Sequence, residues 1–131
     1  MAKIPIGDKL SLPPVPFSRG IKVDNTVYLA GVTAIDSKGN LVGGGSSPSA
    51  EAQARQCYQN IKALLEDAGA SMDDVVMSRT YVTSREHMSV INNVRGQYYT
   101  KLAPCDTAVV VGLLREGALM EIEVMAIVED E

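Results

Sequence analysis

Ala118-Leu-Met-Glu-Ile-Glu-Val-Met-Ala-Ile-Val128 alternates as a strand does, with successive side chains on opposite faces. One face carries Met120, Ile122, Val124, Ala126 and Val128, wholly apolar and suited to a covering layer of helices. The other carries Leu119, Glu121, Glu123, Met125 and Ile127, too apolar for water and too charged for an ordinary core. The run before it, residues 107–114, has two largely apolar faces as well, and the turn at Arg115-Glu116-Gly117 joins the two strands.

Working back along the chain, residues 75–83 read as a strand, followed by a helix that Ser84 opens, with Met88, Ile91, Val94 and Tyr98 on one face and Pro104 beyond its end. An earlier helix is the clearest element. Ser47 is placed to cap it, Pro48 to occupy its first position, Ala54, Cys57, Tyr58, Ile61, Leu64, Leu65 and Ala68 step by three and four, and Gly69 ends it. Before it lie a hairpin over residues 21–32, turning at Asp24-Asn25, and a Gly- and Ser-rich loop over residues 36–49. The order is ββαβαββ, an α+β mixed sheet with two helices on one face. Two helices cover one face only, so a second subunit is expected on the other, and the chain is expected to be a homo-oligomer.

The chain has 131 residues, 12 Lys+Arg against 16 Asp+Glu, and a net charge of −4. That length supports one core, and residues 1–131 are read as a single domain. Pro5, Pro13, Pro14 and Pro16 make residues 1–16 an extended, irregular arm, and Glu129, Asp130 and Glu131 form an acidic tail. An acidic chain without a basic patch argues against nucleic acid as a partner. No run approaches about 18 apolar residues, which argues against a membrane partner. One His and two Cys, without metal-ligand spacing, give no framework for a metal or other cofactor, and none is expected. Few cysteines and no secretory leader point to the cytoplasm. The run Gly43-Gly-Gly-Ser-Ser47 lacks the Gly-Lys-Ser/Thr ending of a phosphate-binding loop and reads as a flexible connection.

Several segments together resemble the RidA/YjgF family: Gly31-Val-Thr, the helix from Ala50, Tyr81-Val-Thr followed by residues 88–99 with Asn92, and the ending from Gly117. The resemblance spans about residues 17–128 in the family's order. It implies a chorismate-mutase-like fold assembled as a homotrimer, with ligand clefts between subunits. The best-known members hydrolyse reactive enamines and imines to a keto acid and ammonia. Carried over by position, Phe17 stands where the family usually has Tyr, and Gly31, Asn92 and Glu121 match cleft residues. The family's Pro-x-Arg-Ser/Thr motif reads Pro104-Cys105-Asp106-Thr107, with Asp106 in place of the carboxylate-binding Arg. Like charges about 4 Å apart repel by roughly 4 kcal/mol at an effective dielectric of 20, so the usual 2-imino acid is not the expected substrate. Arg19, Arg79 or Arg115 could supply the missing cation.

The resemblance thus implies a C–N hydrolase acting on a small metabolite, with a non-enzymatic ligand-binding or chaperone-like trimer as the alternative. Glu121 and Asp106 are the catalytic candidates, because two neighbouring carboxylates would raise one pKa and hold a proton for transfer. Phe17, Arg19, Gly31, Asn92, Cys105 and Thr107 are the candidates for substrate binding. Each also has a structural reading: Glu121 as an interface residue, Asp106 as a turn cap, Asn92 as a surface amide, Phe17 as packing and Cys105 as a small hydrophobe.

Overall fold

The computed structural model describes residues 2–129. Its strands are β1 (Ile4–Ile6), β2 (Gly20–Val23), β3 (Thr26–Leu29), β4 (Val75–Val82), β5 (Cys105–Val110) and β6 (Met120–Ile127); its helices are α1 (Ala50–Asp67) and α2 (Met88–Arg95). They form one six-stranded sheet in the order β1-β2-β3-β6-β4-β5, with β4 and β5 parallel and the other pairs antiparallel.

The β2–β3 hairpin turns at the expected two residues: Val23 pairs with Thr26, and Asp24 takes the left-handed φ of 50° that the tight loop requires. The alternation of β6 is as expected too. Met120, Ile122, Val124 and Ala126 are buried, and they pack with Tyr58, Ile61 and Leu65 of α1 and Ile91 and Val94 of α2 in a continuous core. Gly69, at φ 78°, ends α1, where no residue with a Cβ would sit without strain.

Four boundaries differ from the expectation. Within the arm, Ile4–Ile6 joins the sheet as an edge strand, where the missing N–H of Pro5 costs no ladder bond. Asp67 accepts the Gly7 N–H at 2.8 Å and anchors the end of that strand. The cap of α1 is Ser49, whose Oγ accepts the Ala52 N–H at 3.1 Å; the left-handed glycines Gly43 and Gly45 keep the chain turning past Ser47. The second helix begins with a 3-10 turn over Arg85–His87 and is α-helical only from Met88 to Arg95. β5 stops at Val110 because its partner β4 stops at Val82. Of the acidic tail, Glu129 is exposed, while Asp130 and Glu131 lie outside the described residues.

The face of the sheet away from the helices carries Tyr28, Val109 and Ile127, each more than 40% exposed, beside Met77, Arg79, Tyr81, Glu123 and Met125. Beneath the opposite, helix-covered face, Gln53 of α1 is fully buried. Its amide nitrogen donates to the carbonyls of Gly117 (3.0 Å) and Gly43 (3.3 Å), and its oxygen accepts the Leu119 N–H at 2.8 Å. One side chain thus ties the glycine-rich loop and the approach to β6 to α1.

Candidate functional site

The polar groups fall into two half-sites. In the first, Glu121 projects beside Gly31, in the irregular stretch between the end of β3 and the isolated Val32–Ile122 bridge. A cavity of about 240 Å³ is lined there by Phe17, Arg19, Gly31, Asn60, Arg115 and Glu121 among others. Asn60 donates to the carbonyls of Thr33 and Ile35 and holds its wall. An adjoining space of about 340 Å³ lies between Glu121, Tyr81 and residues 111–114.

Burial, and then the charge of Glu123, raise the pKa of Glu121. No hydrogen bond or ion pair to its carboxylate is made among the described residues. The neighbouring Glu123 is engaged: Tyr81 donates its hydroxyl to it, and Arg79 lies 3.6 Å away. Arg19 donates to the Pro13 carbonyl and so ties the arm to the first half-site, where burial lowers its pKa. Arg115 donates to the Gly39 carbonyl at 2.9 Å.

The second half-site lies on the other side of the sheet. Asp106 pairs with Ser78 across the β4–β5 ladder, and Ser78 is on the helix-facing side of β4 together with Thr80. Both hydroxyls donate to Asp106 Oδ1, at 2.6 and 2.8 Å. Asp106 Oδ2 pairs with Arg95 Nη1 of α2 at 3.0 Å, and both side chains are at most 20% exposed. Arg95 Nη2 donates to Asn92 Oδ1 at 2.6 Å. A cavity of about 270 Å³ is lined by Asn92, Arg95, Gly96, Tyr99, Pro104 and Asp106, with Ala103. Burial opposes the charge on Arg95, but the hydrogen bond to Asp106 and the further contributions of Tyr58 and Asp106 together outweigh it, and the pKa is raised.

Of the sequence-predicted residues, Phe17, Arg19, Gly31 and Glu121 therefore meet in one cavity, and Asn92 and Asp106 in another. Glu121 is paired with Tyr81 and Asp106 with Ser78, positions of opposite parity on β4, so the two carboxylates of one chain face opposite sides of the sheet. They do not form a proton-sharing dyad within the chain. Cys105 and Thr107, the neighbours of Asp106, alternate away from it and are exposed on the open face; the Cys105 thiol contacts the Val76 carbonyl at 3.2 Å. Cys57 is buried, and burial followed by Glu121 pushes its thiol up, away from reactivity.

Sequence reasoning missed Arg95. The available signal was the pair Ser78 and Thr80, two hydroxyl residues on the alternation that also carries Val82 into the core, which demand a polar partner beneath the helices.

The family model described as endoribonuclease L-PSP matches residues 9–128. The chain belongs to the RidA/YjgF family. A RutC family protein of Saccharolobus solfataricus is 36% identical over 126 residues, covering 96% of this chain and 98% of that protein. The crystal structure of RidA from a Psychrobacter species is similar with a TM-score of 0.83 at 33% identity, covering 94% of this chain and 98% of the other. The Rid family protein YyfA of Yersinia pestis gives a TM-score of 0.87 at 33% identity, covering 97% and 100%. The α+β order read from the sequence and the RidA/YjgF fold that the resemblance implies are both observed. Among the described residues, no three potential metal ligands gather, and no helix is long and apolar enough to cross a membrane.

Proposed function

We propose that the chain is a C–N hydrolase of the enamine/imine deaminase type, working on a small metabolite in clefts between the subunits of a cytoplasmic homotrimer. One observation carries the reading: an unpaired, partly buried carboxyl with a raised pKa, Glu121, placed over a glycine in a cavity with Phe17 and Arg19. A protonated Glu121 delivers a proton to the enamine carbon, which gives the iminium ion. Its carboxylate then takes a proton from water as the oxygen adds to the C=N carbon, and the carbinolamine collapses to the carbonyl compound and ammonia. No redox change and no bound cofactor enters that balance.

The assembly is part of the proposal. The open face presents apolar side chains that a neighbouring subunit would cover. The two half-sites face opposite sides of one chain, as a head-to-tail ring that joins the front of one subunit to the back of the next would require. Asp106, which accepts from Ser78 and Thr80 and pairs with Arg95, is assigned no proton-transfer role.

The test couples a serine or threonine dehydratase to the protein and follows keto acid release. Acceleration by the wild type that is lost in Glu121→Gln supports the reading. Equal rates with and without protein, alongside measurable binding of a small ligand, would replace it with the non-enzymatic one.

A further inference from the structure

Residues 8–18 join β1 to β2 outside any strand or helix, and both ends of the segment are fixed. At one end Asp67 holds the Gly7 N–H, and Gly7 turns out of β1 at a left-handed φ of 96°. At the other, the Arg19 carbonyl accepts the Ala30 N–H at 2.9 Å. In between, the backbone hydrogen bonds are local, from the Leu10 N–H to Gly7 and from the Leu12 N–H to Leu10, while both leucines pack against the core. Among the described residues, one hydrogen bond ties the middle of the segment down: the Arg19 guanidinium donates to the Pro13 carbonyl. Pro13 in turn meets the turn at Gly39, where a Cβ would lie 2.9 Å from Pro13 Cγ. That turn is braced, since Arg115 donates to the Gly39 carbonyl and Asp36 accepts the N–H groups of Lys38 and Asn40.

The segment also separates two spaces. Leu12, Val15 and Phe17 line the Glu121 cavity of about 240 Å³, and the same residues border a second, open cavity of about 560 Å³ with Pro5, Gly7 and Asp8. Close-packed interiors resist displacement, whereas a wall backed by open space has somewhere to go.

We propose that residues 12–17 are a retractable wall of the Glu121 cavity, that Arg19 latches it through the Pro13 carbonyl, and that the latch limits the size of side chain the cavity admits. Arg19 is then a positioning residue and not the cation that meets the substrate. The latched wall favours the smaller of two otherwise alike enamines, and retreat into the space behind it makes room for the larger. This deepens the proposed function and rests on it for the reaction at Glu121.

Two readouts on the full-length protein test the latch. Trypsin cleavage after the exposed Lys9, followed by mass spectrometry without any ligand, reports how often the arm leaves its seat. Arg19→Ala should speed that cleavage about 10-fold. The enamines released from serine and threonine by their dehydratases differ by one methyl group, which an apolar pocket discriminates by about 10-fold or more. The threonine-to-serine ratio of kcat/KM should therefore rise by about 10-fold in Arg19→Ala. A Cβ at Gly39 would stand 3.7 Å from that of Pro13, within the span of a disulfide. Added to Arg19→Ala, the oxidised Pro13→Cys/Gly39→Cys pair should restore slow cleavage and the wild-type ratio without restoring the cation, and a reductant should undo both. Should the pair fail to fold, because Gly39 is left-handed at φ 84°, Arg19→Lys decides: cleavage and ratio should shift together, each by less than in Arg19→Ala. Unchanged cleavage in Arg19→Ala overturns the proposal, and so does a ratio that shifts while cleavage does not or that the disulfide leaves altered. Cleavage that depends on Arg19, with no enamine turnover by any variant, sustains the latch and removes the catalytic reading.

Discussion

A Cβ built on Gly31 would lie 2.5 Å from Oε2 of Glu121 and 2.8 Å from its Cδ. The carboxyl therefore occupies the space that a side chain at position 31 would fill. Gly31→Ala should displace Glu121 and lower kcat by roughly 10- to 100-fold, since about an ångström of misplacement suffices for such a loss. Gly31 is exposed and its φ is not left-handed, so the melting temperature should barely move. An unchanged kcat would detach Glu121 from the chemistry.

The raised pKa of Glu121 fixes the sign of a pH effect. A carboxyl whose pKa is raised by the fold favours the native state while it is protonated. Relative to Glu121→Gln, the wild type should be most stable below the ordinary carboxylate pKa and should lose that advantage as pH rises through the native value. Urea midpoints of both proteins over about pH 4 to 8 measure the difference. Glu123→Gln, by removing the second cause of the shift, should move to lower pH the limb on which the rate falls as Glu121 loses its proton.

The Arg95–Asp106 pair should be strongly coupled. Asp106→Ala strands a guanidinium and two buried hydroxyl donors, at an expected cost of about 2 to 4 kcal/mol. Asp106→Arg places two guanidinium groups together and should be at least as harmful, so an Arg at this strand position would not restore a cleft cation here. A double-mutant cycle on denaturation midpoints reads the coupling, with additivity of Arg95→Ala and Asp106→Ala as the contrary result.

Gln53→Leu keeps the side chain's approximate volume but abandons two carbonyls and one N–H in the interior. The expected loss is about 2 to 4 kcal/mol, lowered wherever water reaches the freed groups. Gln53→Glu should be no rescue, since it lacks the donors and buries a charge.

Val109→Asp adds charge to the open face of β5 without touching either half-site. Sedimentation should show the wild type well above its 14.0 kDa chain mass and the variant close to it, with the circular dichroism of the two unchanged. A wild type that sediments as a monomer at micromolar concentration would end the intersubunit cleft.

The fold was legible where one periodicity dominated: the alternation of β6, the three-and-four spacing of α1 and the Asp24-Asn25 turn all stand as read. The arm was harder, because Ile4–Ile6 becomes a strand through its pairing with β2 and not through local propensity. On the Glu121 side, Phe17, Gly31 and Glu121 were named through the family resemblance, and they line one cavity with Arg19. Asp106 was identified by position but not by direction. Which way it faces depends on β5 pairing with β4 at Ser78↔Asp106, and a register between strands 28 residues apart is written in neither strand alone. Arg95 went unseen for the same reason, since only that register brings α2 over the aspartate.

With the half-sites on opposite sides of the sheet, the proposed ring would make the working unit a pair of chains. Under the proposed ring, two inactive proteins, one lacking Glu121 and the other damaged in the half-site around Asp106, would not stay inactive when co-assembled. With random mixing in equal amounts, about a quarter of the clefts would draw both intact halves from different chains. Damage to one wall would then be masked by a partner carrying damage to the other, so a defect would be counted by cleft and not by molecule.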